Sequence, residues 1–397
     1  MAYNIADEDK RRNSRRTKWL IGGGVLFLVI LIAVGVSVGV VLSNRNKKNN
    51  SSSGSSSSNG DNSNGGNGGS GSNGTDSSGS SDASNFTKDP NLHKAFYGMA
   101  YTPEGALTEF GCTNTLETTI KDIQLMSQLT TRVRLYAADC NQTEQVLEAI
   151  VQTNVDMKVY IGNYILDDNH EAYNRQKEFI KQAIQKYGTK HIAGVTVGNE
   201  FMLNYVGSTG DPNGATGDLG AAILIQDIED TRAMLKEIGV DSEIPVGNSD
   251  AGSYFSTKVL SAVDYGLSNV HAWFAQTSAA DSAAWVFQFF DEQNVVPAAA
   301  LPNKPDMYIA ESGWPTKSSD AEHATNGGPG VASEAGLQDF LDTFVCQANT
   351  QGVKYFFFEM FDEDWKDKKF GGVEGWWGLF NKDRTLKNVK IPTCTAP

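Results

Sequence analysis

The sequence predicts an α/β fold, a closed (β/α)8 TIM barrel, preceded by a disordered tether and one transmembrane helix. Three observations carry that expectation. Eight short apolar runs alternate with helical patterns from about residue 94 onward. Most runs end in a polar or acidic residue. Ahead of them stand an uncharged apolar stretch and a Ser/Gly/Asn tract.

Taken in chain order, residues 1–18 form a short cytoplasmic tail. Residues 19–42 (WLIGGGVLFLVILIAVGVSVGVVL) carry no charge. At 1.5 Å rise per residue they span roughly 36 Å, enough for a ~30 Å hydrocarbon core. They are too long for a signal-peptide core of ~7–15 residues. Six bases precede them (Lys10, Arg11, Arg12, Arg15, Arg16, Lys18) and three follow (Arg45, Lys47, Lys48). The excess keeps the amino-terminal side in the cytoplasm. The expectation is a single-pass type II signal-anchor in the cell membrane, with the large domain outside the cell. Residues 43–85 cannot bury a core and read as a flexible linker with a reach of about 35 Å. Residues 86–397 then form the extracellular barrel.

The strand-like runs fall near 94–102, 131–139, 157–165, 191–200, 244–250, 269–275, 306–313 and 354–361. Continuous apolar strands suit a parallel sheet covered on both faces. Helical patterns lie near 116–129, 142–153, 171–188, 220–238, 255–265, 281–292 and 333–350. In the third, Ile180, Ala183, Ile184 and Tyr187 share one stripe, and Gly188 is a stop. An open doubly wound sheet is the alternative. No GxGxxG follows the first strand, which removes the dinucleotide reading.

Charge is unevenly spread. The chain has 397 residues and a formal net charge of -14. Residues 1–48 hold nine bases and three acids (+6), and residues 49–85 hold three Asp (-3), so 86–397 carry -14 - 6 + 3 = -17. Such a body repels phosphate, which excludes nucleic acid as a partner, and is compatible with a neutral polysaccharide. Four cysteines, Cys112, Cys140, Cys346 and Cys394, suggest two disulfides in an exported domain. Three pairings are open; closeness along the chain favours Cys112 with Cys140 and Cys346 with Cys394. No CxxC spacing points to a metal. Asn73, Asn85 and Asn141 begin glycosylation triplets.

The polar residues at the strand ends are Tyr101, Asp139, Asn163, Glu200, Asp250, His271, Glu311 and the stretch from Glu359 to Lys366. In a barrel, the carboxyl ends of the strands line the active site. Acids, amides and aromatics on one rim suit a sugar, which offers hydroxyls to bond and apolar ring faces to stack. Trp273, Trp314, Trp365, Trp376 and Trp377 lie near the late strand ends, where core packing is the alternative. Glycoside cleavage needs a proton donor and a second carboxylate across the sugar. Glu200 and Glu311, each beside a glycine at a strand end, are the candidates. Asn199 and Glu200 are adjacent, so a regular strand would point them to opposite faces. Both line the cleft only if the strand bends or ends there, which Gly198 allows.

VGNE (197–200), ESGWP (311–315) and FDEDWK (361–366) resemble the motifs of glycoside hydrolase family seventeen. The resemblance spans about 90–380. DIQLMSQLTTRVRLYAADCNQT (122–143) and SNVHAWFA (268–275) are similar to fungal cell-wall glucan endo-1,3-β-glucosidases, including type II membrane-anchored ones. It implies a barrel and a retaining double displacement on β-1,3-glucan, with Glu200 as acid/base, Glu311 as nucleophile and carboxyls roughly 5–5.5 Å apart. Asn199 then binds the sugar. Glu363 and Lys366 match an E-x-x-K pair near the cleft, although Asp362, Asp364 and Trp365 depart from the plant pattern. Tyr101, Asp139, Asn163, His271, Trp273, Trp314 and Glu359 are the further substrate-binding candidates. No metal or organic cofactor is implied, and a monomer is expected. A β-1,3-glucanosyltransferase and a non-catalytic wall-binding protein are the alternatives.

Overall fold

The computed structural model describes residues 82–397. The expected tail 1–18, the membrane segment 19–42, most of the 43–85 linker and the Asn73 triplet lie outside the described residues. Among the described residues no helix is long and apolar enough to cross a membrane.

Eight strands close into one barrel: β1 (Gly98–Ala100), β2 (Arg132–Arg134), β3 (Lys158–Asn163), β4 (Ile192–Asn199), β5 (Val246–Ala251), β6 (Tyr265–Asn269), β7 (Asp306–Ser312) and β8 (Tyr355–Phe357). All neighbours are parallel, and β8 pairs with β1. This is the (β/α)8 barrel the sequence predicts.

The helices are α1 (Leu116–Met126), α2 (Gln142–Thr153), α3 (Glu171–Tyr187), α4 (Phe201–Val206), α5 (Ala215–Glu237), α6 (Thr257–Leu260), α7 (Ser282–Phe290), α8 (Val296–Ala299), α9 (Glu334–Gln351) and α10 (Asp364–Phe370). Local chemistry sets several ends. Thr115 caps α1, its hydroxyl accepting from the Thr118 N–H at 3.2 Å, and Ser333 caps α9 through the Gly336 N–H at 3.0 Å. Gly188, at φ 68°, stops α3 as expected.

The barrel interior is packed with rings. Tyr160 meets Phe356, Tyr265 and Tyr308 at centroid distances of 5.2, 5.6 and 5.8 Å. Glycines on neighbouring strands make the room: a Cβ on Gly247 would lie 2.2 Å from the Tyr265 ring, and one on Gly98 2.4 Å from Phe356. Large and small residues thus interdigitate, which keeps the lower barrel solid.

One element differs from expectation. The sixth strand is Tyr265–Asn269, where a helix had been expected to end, and Ala272–Ala275 form a 3-10 turn. The apolar AWFA run carries a strand-like pattern without being a strand. The actual strand carries Gly266, Ser268 and Asn269, small and polar residues that packing in the closed sheet holds in place. The helix expected over 255–265 shrinks to α6.

Both favoured disulfides form: Cys112–Cys140 with Cα atoms 5.1 Å apart, and Cys346–Cys394 at 5.6 Å. The second ties α9 to the carboxyl-terminal tail. The Ala396 N–H donates to the Lys94 carbonyl at 3.1 Å, so both ends of the barrel domain meet below β1.

Candidate active site

Glu311 lies on β7 and is 6% exposed. One carboxylate oxygen accepts from Arg134 Nη1 at 2.7 Å, and the other pairs with His271 Nε2 at 3.0 Å. Arg134 ends β2 and lies inside the barrel, 1% exposed. Its Nη1 also donates to the Ala310 carbonyl and the Tyr136 hydroxyl, and its Nη2 to Asn199 Oδ1 at 2.7 Å and Ser249 Oγ at 2.8 Å. Tyr136 lies beneath the guanidinium, 4.3 Å from ring centroid to Cζ.

Glu200 reaches the same network from β4. The strand does not continue regularly: Gly198 has φ +87° and Glu200 φ +54°. Two left-handed residues around Asn199 turn the chain so that the adjacent Asn199 and Glu200 both face the mouth. The Glu200 N–H donates to the Ser249 carbonyl at 3.1 Å. Immediately after it, Asp250 of β5 accepts from the Met202 N–H at 2.8 Å and caps α4. Asn269, which ends β6 opposite Glu311 in register, donates to Glu200 Oε1 at 2.9 Å. The two glutamates are therefore joined through Arg134, Asn199 and Asn269.

Their protonation is driven apart. Burial first, then the Glu311 charge, pushes Glu200 up to about 7, although Asn269, His271 and Arg134 pull the other way. Burial alone would also raise Glu311. The Arg134 charge and the His271 hydrogen bond outweigh it and hold Glu311 at about 2. At neutral pH the site holds one carboxylate and one carboxyl poised to give up its proton.

A second cluster stands at the end of β8. Lys366 grips both oxygens of Glu359 at 2.8 and 2.7 Å and lies 3.4 Å from Glu363. Burial would weaken the Lys366 charge, but the two carboxylates keep it protonated. His271 is enclosed by the rings of Phe358, Trp377 and Phe274 at 5.1, 5.1 and 5.8 Å.

Among the sequence candidates, Glu311 and His271 bond directly, Asn199 and Glu200 join them through Arg134 and Asn269, and Glu359, Glu363 and Lys366 form the adjoining cluster. The others are placed elsewhere. The Tyr101 hydroxyl is buried against Asp122 of α1 at 2.7 Å. Asn163 points outward to the Tyr173 carbonyl of α3, because it lies three residues from the inward Tyr160 and so on the opposite face. Trp273 and Trp314 are buried edge to face, 5.3 Å apart, and pack rather than line the cleft. Asp139 is held by Arg175 through two bonds of 2.7 and 2.9 Å. Asn85 and Asn141 are exposed.

Sequence reading missed Arg134, Tyr136, Tyr164, Asn269 and Glu374. Burial, then the Glu200 and Glu311 charges, push Tyr164 up to about 12, and burial with the Glu311 charge raises Tyr136. Glu374 is raised to about 7 by burial and by Glu311, against Lys366. An arginine within the apolar run RVRLYA was the available signal, since a strand covered on both faces holds a charge only against a partner.

Fold and site together define a (β/α)8 barrel of the glycoside hydrolase kind, with Glu311 on β7 and Glu200 just beyond β4 in one hydrogen-bond network at its mouth. The chain belongs to the BtgE/BtgC glycoside hydrolase domain family, whose model matches residues 98–378. Its relatives include a protein named probable glucan endo-1,3-beta-glucosidase btgC from Aspergillus flavus, 35% identical over 333 residues, covering 79% of this chain and 46% of the relative. The glucan endo-1,3-beta-glucosidase btgC of Emericella nidulans is 33% identical over 319 residues, 76% of this chain and 47% of that protein. This chain thus spans about half the length of the curated relatives it matches. In fold it is similar to the glycoside hydrolase family 17 β-1,3-glucanosyltransferase of Rhizomucor miehei (TM-score 0.60, 22% identity, 76% of this chain and 99% of that one). An endo-laminarinase from Formosa shares the fold at TM-score 0.60 and 19% identity, covering 75% of this chain and 86% of that one.

Proposed function

We propose that this chain cleaves β-1,3-glucan internally by double displacement. A Glu311 oxygen attacks the anomeric carbon as the glycosidic bond breaks, and the Glu200 proton passes to the leaving oxygen. Water then gives a proton to ionised Glu200 and its oxygen to the anomeric carbon, releasing Glu311. The configuration is retained, which requires the carboxyls to lie ~5–5.5 Å apart. The observation that carries this reading is the opposed titration of the two glutamates inside one hydrogen-bond network. Asn199 Oδ1 is occupied by Arg134, so the remaining amide N–H groups are those offered to a sugar hydroxyl. The named activity of the relatives supports the choice of β-1,3-glucan over other polysaccharides.

The same glycosyl-enzyme delivers its sugar to water or to a second glucan, and the identity of the acceptor separates hydrolase from transferase. Incubating the full chain with laminari-oligosaccharides, and following product length and anomeric form, tests both. Shorter products of retained configuration are expected; products longer than the substrate would make it a transferase. Glu311→Ala is expected to abolish cleavage, and undiminished turnover would overturn the assignment. The reading also holds the barrel outside the cell on the 43–85 linker, anchored by residues 19–42, acting as a monomer on the wall.

A further inference from the structure

An aromatic surface outside the catalytic network collects at one corner of the rim. Because β1 and β8 are neighbours, the loops that follow them rise side by side. The first carries a 3-10 turn, Thr108–Phe110, and leaves Phe110 47% exposed. The second carries α10 with Trp365 and Phe370, both partly exposed. The Phe110 and Trp365 rings are 6.3 Å apart, and Trp365 and Phe370 6.1 Å.

This surface is built rather than incidental. Lys369 of α10 donates to both oxygens of Glu109 at 3.0 and 3.1 Å, tying the two loops together. Two residues beyond Phe110, Cys112 is bonded to Cys140 on the loop after β2. The Trp365 indole N–H donates to the Glu363 carboxylate. An ion pair, a covalent bond and a hydrogen bond thus hold exposed rings in fixed positions, where an unconstrained chain would fold them inward. The surface is also continuous with the cleft: Glu363 lies 3.4 Å from Lys366, whose Nζ is 4.7 Å from the Phe358 ring that packs on His271, the partner of Glu311. Lys366 and Lys369, 5.8 and 5.9 Å from the Trp365 centroid, are already paired with Glu359 and Glu109, so the rings suit a neutral, flat-faced ligand. A pyranose offers that face while its hydroxyls stay in water.

We propose that Phe110 and Trp365 form a distal stacking subsite for the pyranose rings of a glucan lying in the cleft, so that they select long chains over short ones. This rests on the glucan-cleaving reading of the site.

The test separates the two ideas. Binding is measured by isothermal titration on the full chain carrying Glu311→Gln, with laminaritriose and with a longer laminari-oligosaccharide. Cleavage is measured in parallel on the chain with both glutamates intact. Phe110→Ala and Trp365→Ala are each expected to lower the ratio of long-chain to short-chain affinity about fivefold. Trp365→Phe restores most of it, and Val151→Ser, an exposed position on α2, does not change it. Equal weakening at both lengths, an unchanged ratio, or no binding of either sugar overturns the subsite. Failure of the intact chain to cleave β-1,3-glucan overturns the function, while the affinity ratio still decides the subsite.

Discussion

Arg134 is the residue on which the proposed chemistry turns. A buried guanidinium facing Glu311, Asn199 and Ser249 keeps one glutamate ionised where burial alone would protonate it. The proposed mechanism requires Glu311 charged and Glu200 protonated. Raising pH through about 7 removes the Glu200 proton, and only strong acid, near pH 2, neutralises Glu311. A profile of kcat/KM against pH should therefore fall on the alkaline side near 7 and stay high well into acid. Arg134→Met should move the acid limb upward, because burial then acts on Glu311 with only His271 left to oppose it. The same change strands a buried carboxylate and should cost about 3–5 kcal/mol of stability, read from urea unfolding.

At the scale of elements, the turn from β4 into α4 delivers Asn199 and Glu200 to one side. Gly198 sits at φ +87°, with space for a Cβ limited by Leu224 Cδ2 at 3.0 Å and Asn248 Nδ2 at 3.1 Å. Gly198→Ala should cost about 1–3 kcal/mol from the strained backbone. It should also lower kcat, because both side chains lose their aim; stability and turnover measured on one preparation check this. The Cys346–Cys394 bridge is different in kind, for it closes a loop of sequence separation 48 far from the mouth. Replacing both cysteines by serine should lower stability by about 2–5 kcal/mol and leave the pH profile unmoved.

For the whole molecule, the expected anchor makes a prediction independent of catalysis. A chain with residues 19–42 in a bilayer should remain in the membrane pellet after alkaline carbonate washing, and replacing apolar residues there by charged ones should release it. Since Asn85 and Asn141 are exposed, glycan at either, read as an enzyme-sensitive mass shift, would report that the barrel faces outward.

Sequence alone determined the barrel, because eight apolar runs alternating with amphipathic segments have few other ways to bury both faces of a parallel sheet. It also singled out Glu200 and Glu311, since acids closing buried strands are rare unless used. It could not find the sixth strand: Gly266, Ser268 and Asn269 have no strand signal of their own, and pairing with β5 and β7 holds them there. Nor could it sort the rim. Tyr101, Asn163, Trp273 and Trp314 read as cleft residues by position, yet strand parity and packing against helices or each other turn them away. Only the closed barrel decided that Arg134, 177 positions from Glu311, is the charge that sets its protonation. Local pattern records what a segment buries, whereas the field at a carboxylate comes from whatever the fold brings beside it.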